Sequence, residues 1–178
     1  MAIYDENEII EDASLHVAKE MVAAARTAPK ARGESTLHTK IVTGNDLEPI
    51  IAKMEKISSE ENIPSFYRDA QNLKNCRALV LLGTEIQTLN LKKCGMCGFE
   101  NCTEKAKYPN IPCVFNTGDL GIAVGSAVSI AMDHRIDNRI MYTVGQAVKD
   151  LSIFPDNVNI IYGMPLQASS KNIFFDRK

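Results

Sequence analysis

With 178 residues, a mass of 19.6 kDa, 45% hydrophobic residues and 24% charged ones, the chain has the composition of one globular domain and lacks the length for two ordinary domains and a linker. Twenty Lys and Arg against 22 Asp and Glu leave a formal charge of -2, which excludes a global electrostatic pull toward nucleic acid or an anionic membrane. The opening MAIYDENEIIEDASLHVAKE carries acids where a secretory signal needs basic residues and an apolar run, and no later stretch suggests the roughly 18 apolar residues of a spanning helix. A cytoplasmic protein with no membrane partner is expected.

From Glu6 to about Ala28, Ile9, Ile10, Ala13, Val17, Met21, Ala24, Ala25 and Ala28 recur at helical steps, so a first amphipathic helix ends near Pro29. PKARGEST reads as a loop, and the alternation over Leu37 to Thr43 predicts a strand. Asp46 is expected to cap a helix through Leu47, Ile50, Ile51, Met54 and Ile57, with Pro49 tolerated in its first turn. Pro64 opens a short helical stretch, and the apolar run Ala78 to Leu82, bounded by Gly83, predicts a central strand covered on both faces. After Asp119, read first as an N-cap, LGIAVGSAVSIAMDH predicts a buried helix whose Gly121, Gly125 and Ser129 allow a second backbone to approach. Asp137 is expected to cap the next helix, with Ile140, Val144, Ala147, Val148 and Leu151 on its apolar stripe. Val158 to Tyr162 predicts another strand before Gly163 and Pro165, and KNIFFDRK a last extended piece. The mixture of helices and strands, without strict alternation or internal repeat, predicts one α+β domain over residues 1–178.

Four of the five cysteines fall in CGMCGFENCTEKAKYPNIPC, as C-x2-C-x4-C-x10-C over Cys94, Cys97, Cys102 and Cys113. In a reducing compartment such clustering points to metal rather than to disulfides, and four thiolates suit zinc or the iron of an iron–sulfur cluster. Structural zinc sites commonly show two C-x2-C pairs, whereas a close triplet with a distant fourth cysteine is nearer to cluster ligation. Residues 92–113 contain Gly95, Gly98, Pro109 and Pro112 but little apolar periodicity, so they read as an insert that needs a staple. Lys92, Lys93, Lys105 and Lys107 are available to offset thiolate charge. Cys76, at the start of an apolar run, is expected to be an ordinary core residue. A zinc-knuckle reading lacks its histidine, and Phe99 is the only aromatic within the triplet, so nucleic acid is disfavoured as a partner.

CGMCGFENC with Cys113 resembles the motif of the four-cysteine 4Fe-4S domain of anaerobic redox proteins, which implies a 4Fe-4S cluster on Cys94, Cys97, Cys102 and Cys113. With AARTAPKARG near the start and SSKNIFFDR at the end, the chain resembles the uncharacterised ferredoxin-domain-containing proteins of anaerobic bacteria and archaea. Ala23 to Pro29, Asp119 to Ala131 and Gly163-Met164-Pro165 are similar to segments of the flavin-dependent nitroreductase fold, which implies a mixed sheet flanked by helices, FMN as a candidate cofactor and a homodimer. Nitroreductases usually carry an Arg-Arg-Ser-type segment that helps hold the FMN phosphate, and this chain has acids there. A replacement site is conceivable from Lys30 and Arg32 beside Gly33, with Lys171 or Arg177 arriving from the carboxyl end.

No G-x-S-x-G, P-loop or G-x-G-x-x-G is present, Asp133 and His134 point about 100° apart on a helix, and no side chain is assigned as catalytic. The expected function is an iron–sulfur redox protein that passes electrons from an unidentified partner to an acceptor, with FMN as one candidate and an FMN-dependent oxidoreductase as the enzyme reading. The alternative is a non-enzymatic interaction module stapled by zinc or a structural cluster.

Overall fold

A computed structural model of the chain describes residues 2–175. Helix α1 (Glu6–Thr27) starts at a capping box in which the Asp5 carboxylate accepts the Asn7 N–H at 2.9 Å and the Asp5 N–H donates to Glu8. Strand β1 (Leu37–Thr43) has the predicted bounds. A 3-10 turn over Gly44–Leu47 leads into α2 (Glu48–Glu61), so Asp46 lies before the helix and Leu47 takes the cap position without a side-chain bond. Helix α3 (Pro64–Leu73) then returns the chain to β2 (Ala78–Glu85). The cysteine segment holds only α4 (Cys102–Ala106) and leads into α5 (Val114–Asp133). The chain finishes with β3 (Asp137–Asn138), α6 (Tyr142–Asp150) and β4 (Val158–Gln167).

The sheet has the order β1-β2-β4-β3. Each of its strand pairings is antiparallel, where a mixed sheet was expected. Two successive helices between β1 and β2 turn the chain an extra time, so the second strand comes back against the first. Every residue of β2 except Glu85 is buried. Ala78, Val80 and Leu82 pack with Met164 and Leu166 against α1 and α5, through Val17, Met21, Leu120 and Ala127. Leu79 and Leu81 face the other way, onto α2, α3 and α6 through Ile50, Met54, Phe66 and Val148. The result is three layers, and each fully buried large aliphatic residue of β2 contributes about 1.5–3 kcal/mol.

Strand β4 continues through Gly163 and Pro165, which were expected to end it. Gly163 exchanges both backbone bonds with Met141, at 2.8 and 3.0 Å, so Pro165, two residues on, turns its nitrogen toward the same sparsely paired edge. That bridge also delays α6 until Tyr142; Asp137 is a strand residue rather than its cap, Ile140 is exposed, and Leu151 lies just past the helix. The KNIFFDRK segment is a turn instead of a strand over its described part, with Asn172 accepting the Phe174 N–H and Phe174 buried; residues 176–178 lie outside the described residues.

Helix α5 begins at Val114, so Asp119 sits inside it rather than at its cap. Its inner face packs on the sheet and on α1, where the Ser126 hydroxyl donates to the Ala24 carbonyl at 3.1 Å. Its outer face, with Gly118, Gly121, Ile122, Gly125 and Met132, is exposed, so the helix is half covered where full burial was expected. Contrary to the reading from sequence, its 20 residues have a mean hydropathy of 1.3 over 18 positions, long and apolar enough by length and composition to cross a membrane.

Gly145 sets the closeness of α6 to β4: a Cβ there would stand 1.8 Å from the Ile161 carbonyl oxygen. Gly145→Ala is expected to destabilise the protein by at least about 2 kcal/mol through overpacking, read as a fall in the urea midpoint at unchanged slope.

Candidate functional site

The cysteine segment leaves the sheet at the Glu85 end of β2 and is pinned to the frame at both ends. The Gln87 N–H donates to the buried Asn116 side chain at 2.9 Å, Leu89 is buried, and the Leu89 carbonyl accepts from the Arg32 guanidinium at 2.8 Å. Within the segment, the Gly98 N–H bonds the Gly95 carbonyl at 3.0 Å across a turn that encloses Cys97. Gly95 and Gly98 have φ of +94° and +87°, a region that glycine enters freely. Asn101 caps α4 by accepting the Glu104 N–H, and Phe99 stacks on Tyr108 at 5.3 Å between centroids.

Cys94 and Cys97 flank and occupy that turn, Cys102 opens α4, and Cys113 immediately precedes α5. The first three are half-buried and Cys113 is buried. Cys113 stands at the positive end of a long helix dipole, which favours negative charge there. Among the described residues, no three Cys, His, Asp or Glu side chains are gathered closely enough to hold an ion. The donors nevertheless suit a thiolate-bound metal group: four soft ligands on a glycine-bent loop. Of the lysines suggested to offset thiolate charge, Lys105 is a buried residue, whereas Lys92, Lys93 and Lys107 are exposed and Lys107 pairs with Glu104 at 2.6 Å. Cys76 is a core residue whose thiol is pushed up to about 12 by burial.

The described basic residues suggested for a phosphate site, Lys30, Arg32 and Lys171, do not meet within one chain. The Lys30 ammonium donates to the carbonyls of Ala25, Arg26 and Ala28, closing the carboxyl end of α1, and burial, then Arg26, lowers its pKa while Asp119 opposes them. Arg32 serves Leu89 and Glu34, and Gly33 is exposed beside it. Lys171 lies past Gln167, which pairs beyond the Ala78 end of β2, roughly 23 Å of strand from the Glu85 end at about 3.3 Å per residue. Arg177 lies outside the described residues. Asp119 accepts the Ala31 N–H at 3.0 Å and borders a mainly apolar pocket of about 360 Å³ formed by Pro29, Met96, Val114, Phe115 and Ile122.

Residues 110–177 match the model of a family described as uncharacterised proteins containing a ferredoxin domain. An uncharacterised protein of Archaeoglobus fulgidus is 39% identical over 166 residues, 88% of each chain. The chain belongs to this ferredoxin-domain family. Among solved structures, the fold of this ferredoxin-domain protein is similar to that of the nitroreductase CinD from Lactococcus lactis in complex with nicotinic acid, with a TM-score of 0.61 at 15% identity over 95% of this chain and 81% of the other. It is also similar to a putative nitroreductase in complex with FMN from Desulfovibrio desulfuricans, with a TM-score of 0.59 at 11% identity over 97% and 78%. The α+β, nitroreductase-like frame expected from sequence is therefore present. The family match includes Cys113 and begins after Cys94, Cys97 and Cys102.

Sequence reasoning missed Asn116, which a polar residue three positions after Cys113 in an apolar helix would have signalled. The cysteines of the ferredoxin-domain protein should separate by reactivity. With its thiol at about 12, Cys76 is roughly one part in ten thousand thiolate at pH 8, so iodoacetamide followed by mass spectrometry should label Cys94, Cys97 and Cys102 well before Cys76 in the folded metal-free protein.

Proposed function

We propose that this ferredoxin-domain protein is a cytoplasmic electron-transfer protein in which Cys94, Cys97, Cys102 and Cys113 hold a 4Fe-4S cluster. The observation that carries this reading is the placement of four of the five cysteines in a segment poor in core residues and pinned at both ends to a closed frame. When bound, the cluster would supply one-electron oxidation and reduction. The chain's own groups bind and shield: Gly95 and Gly98 bend the backbone around Cys97, Cys113 ties the ligand set to α5, and Phe99 stacked on Tyr108 covers part of the segment. FMN is one candidate acceptor, supported by the FMN-bound neighbour of the same fold. A redox partner of unidentified nature completes the electron path.

A second copy of this chain is the proposed occupant of the exposed face of α5. The exposed side chains of that face, Ile122, Ser129 and Met132, are uncharged, Asp119 lies half-buried at its edge, and Gly118, Gly121 and Gly125 have open space above them, so two such faces can pack closely across a two-fold axis. A dimer in analytical ultracentrifugation that dissociates in Gly121→Glu, with helix content unchanged, is the expected outcome.

Protein prepared anaerobically should be brown and contain iron and acid-labile sulfide in matching amounts. Cys97→Ser should lose both, and Cys76→Ser should keep both. Zinc without iron or sulfide, after production with iron supplied, would replace electron transfer by a structural staple.

A further inference from the structure

Helix α1 overhangs α5. The Ser126 hydroxyl bonds the Ala24 carbonyl, and Glu20 of α1 pairs at 2.8 Å with His134, just past the carboxyl end of α5, where the His16 ring stands edge-on to His134 at 6.4 Å between centroids. The two helices therefore run antiparallel and α5 stops beside His16. The amino half of α1, from Glu6 to Ala13, continues past that point for about 10 Å at 1.5 Å per residue. There Tyr4, Glu8, Ile9, Asp12, Ala13 and His16 line an open groove of about 680 Å³. It is apolar along Ile9, which is 52% exposed, and Ala13, and acidic at the exposed Glu8 and Asp12. The cysteine segment, at the opposite end of α5, has the complementary character. Lys92 and Lys93 are exposed directly before Cys94, and Met96, between Cys94 and Cys97, is 68% exposed.

A two-fold axis crossing α5 at Gly125 brings these two ends together. Asp133 and Val114 lie about 12 and 16 Å from Gly125 on opposite sides, so the axis sets the overhanging half of one α1 beside the amino end of the partner's α5, where the cysteine segment joins it. Acid then meets base and Ile9 meets Met96, twice over, because the contact is isologous. We propose that a second copy of this chain completes the cysteine centre: the groove at the amino end of one α1 docks on Lys92, Lys93 and Met96 of its partner and covers the exposed side of the Cys94–Cys97 turn. This rests on the α5 pairing proposed above, to which it adds a register and a role. The occupant is this chain because the acidic groove and the basic segment lie at matching distances from one axis. Charges at such a rim fix register and partner choice, while the buried apolar contact excludes water from the turn.

The test is a charge swap on complete chains, read by analytical ultracentrifugation at low salt. Lys92→Glu with Lys93→Glu, and separately Glu8→Lys with Asp12→Lys, should each raise the dimer dissociation constant about tenfold. Mixed in equal amounts, the two double variants should pair with each other at the parent's affinity, because both contacts of that heterodimer again join acid to base. A carbodiimide, which joins carboxylates to amines in direct contact, should link Glu8 or Asp12 to Lys92 or Lys93 in the parent protein. When unlabelled and isotope-labelled chains are mixed first, mass spectrometry should find those links between one light and one heavy chain. An unchanged dissociation constant in both double variants, or links within single chains alone, would overturn this docking and leave the α5 pairing standing. A monomeric parent would overturn both. None of these readouts depends on bound metal, so the iron–sulfur reading stands or falls separately.

Discussion

The burial of β2 on both faces is the constraint from which the rest of the structure follows. A strand that reads ALVLLGT needs apolar cover above and below, and one helical layer supplies only one side. Helices α1 and α5 cover Ala78, Val80 and Leu82, while α2, α3 and α6 cover Leu79 and Leu81. With both faces closed, polar chemistry is confined to the ends of the sheet. The cysteine segment accordingly leaves from the Glu85 end and rejoins the frame through α5.

At that end, one set of groups serves structure and another remains available. Lys30 satisfies the last carbonyls of α1, Asp119 holds the Ala31 N–H, and Arg32 holds the Leu89 carbonyl, so the basic loop is occupied with joining α1, α5 and the cysteine segment. The thiols of the segment are free. The division explains how a nitroreductase-like frame can carry its reactive groups in an added segment while the loop that sequence suggested for phosphate does structural work.

Much of the frame was legible because its signals are local. The 3.6-residue period of α1, the alternation of β1 and the unbroken run of β2 each report burial through the chain's own pattern. The errors have tertiary causes. Strand β4 runs past Gly163 because Met141 pairs there, and α5 leaves its outer face open because no other element among the described residues covers it. The grouping of four cysteines in one short segment was legible from spacing alone. Lys105 was indistinguishable from its three neighbours, since only the packing of the segment decides which lysine is withdrawn from water.

The bond between Gln87 and Asn116 has a further consequence. It ties together the two ends of the cysteine segment, so the frame fixes where the loop starts and stops and a change in loop length alters the closure cost slowly, by about 0.6 kcal/mol per doubling. Residues 90–112, between buried Leu89 and buried Cys113, form a cassette on that scaffold. Their length and sequence can change by insertion, deletion or exchange without reopening the three layers, which makes the segment the part of the molecule where new chemistry is most easily acquired or discarded.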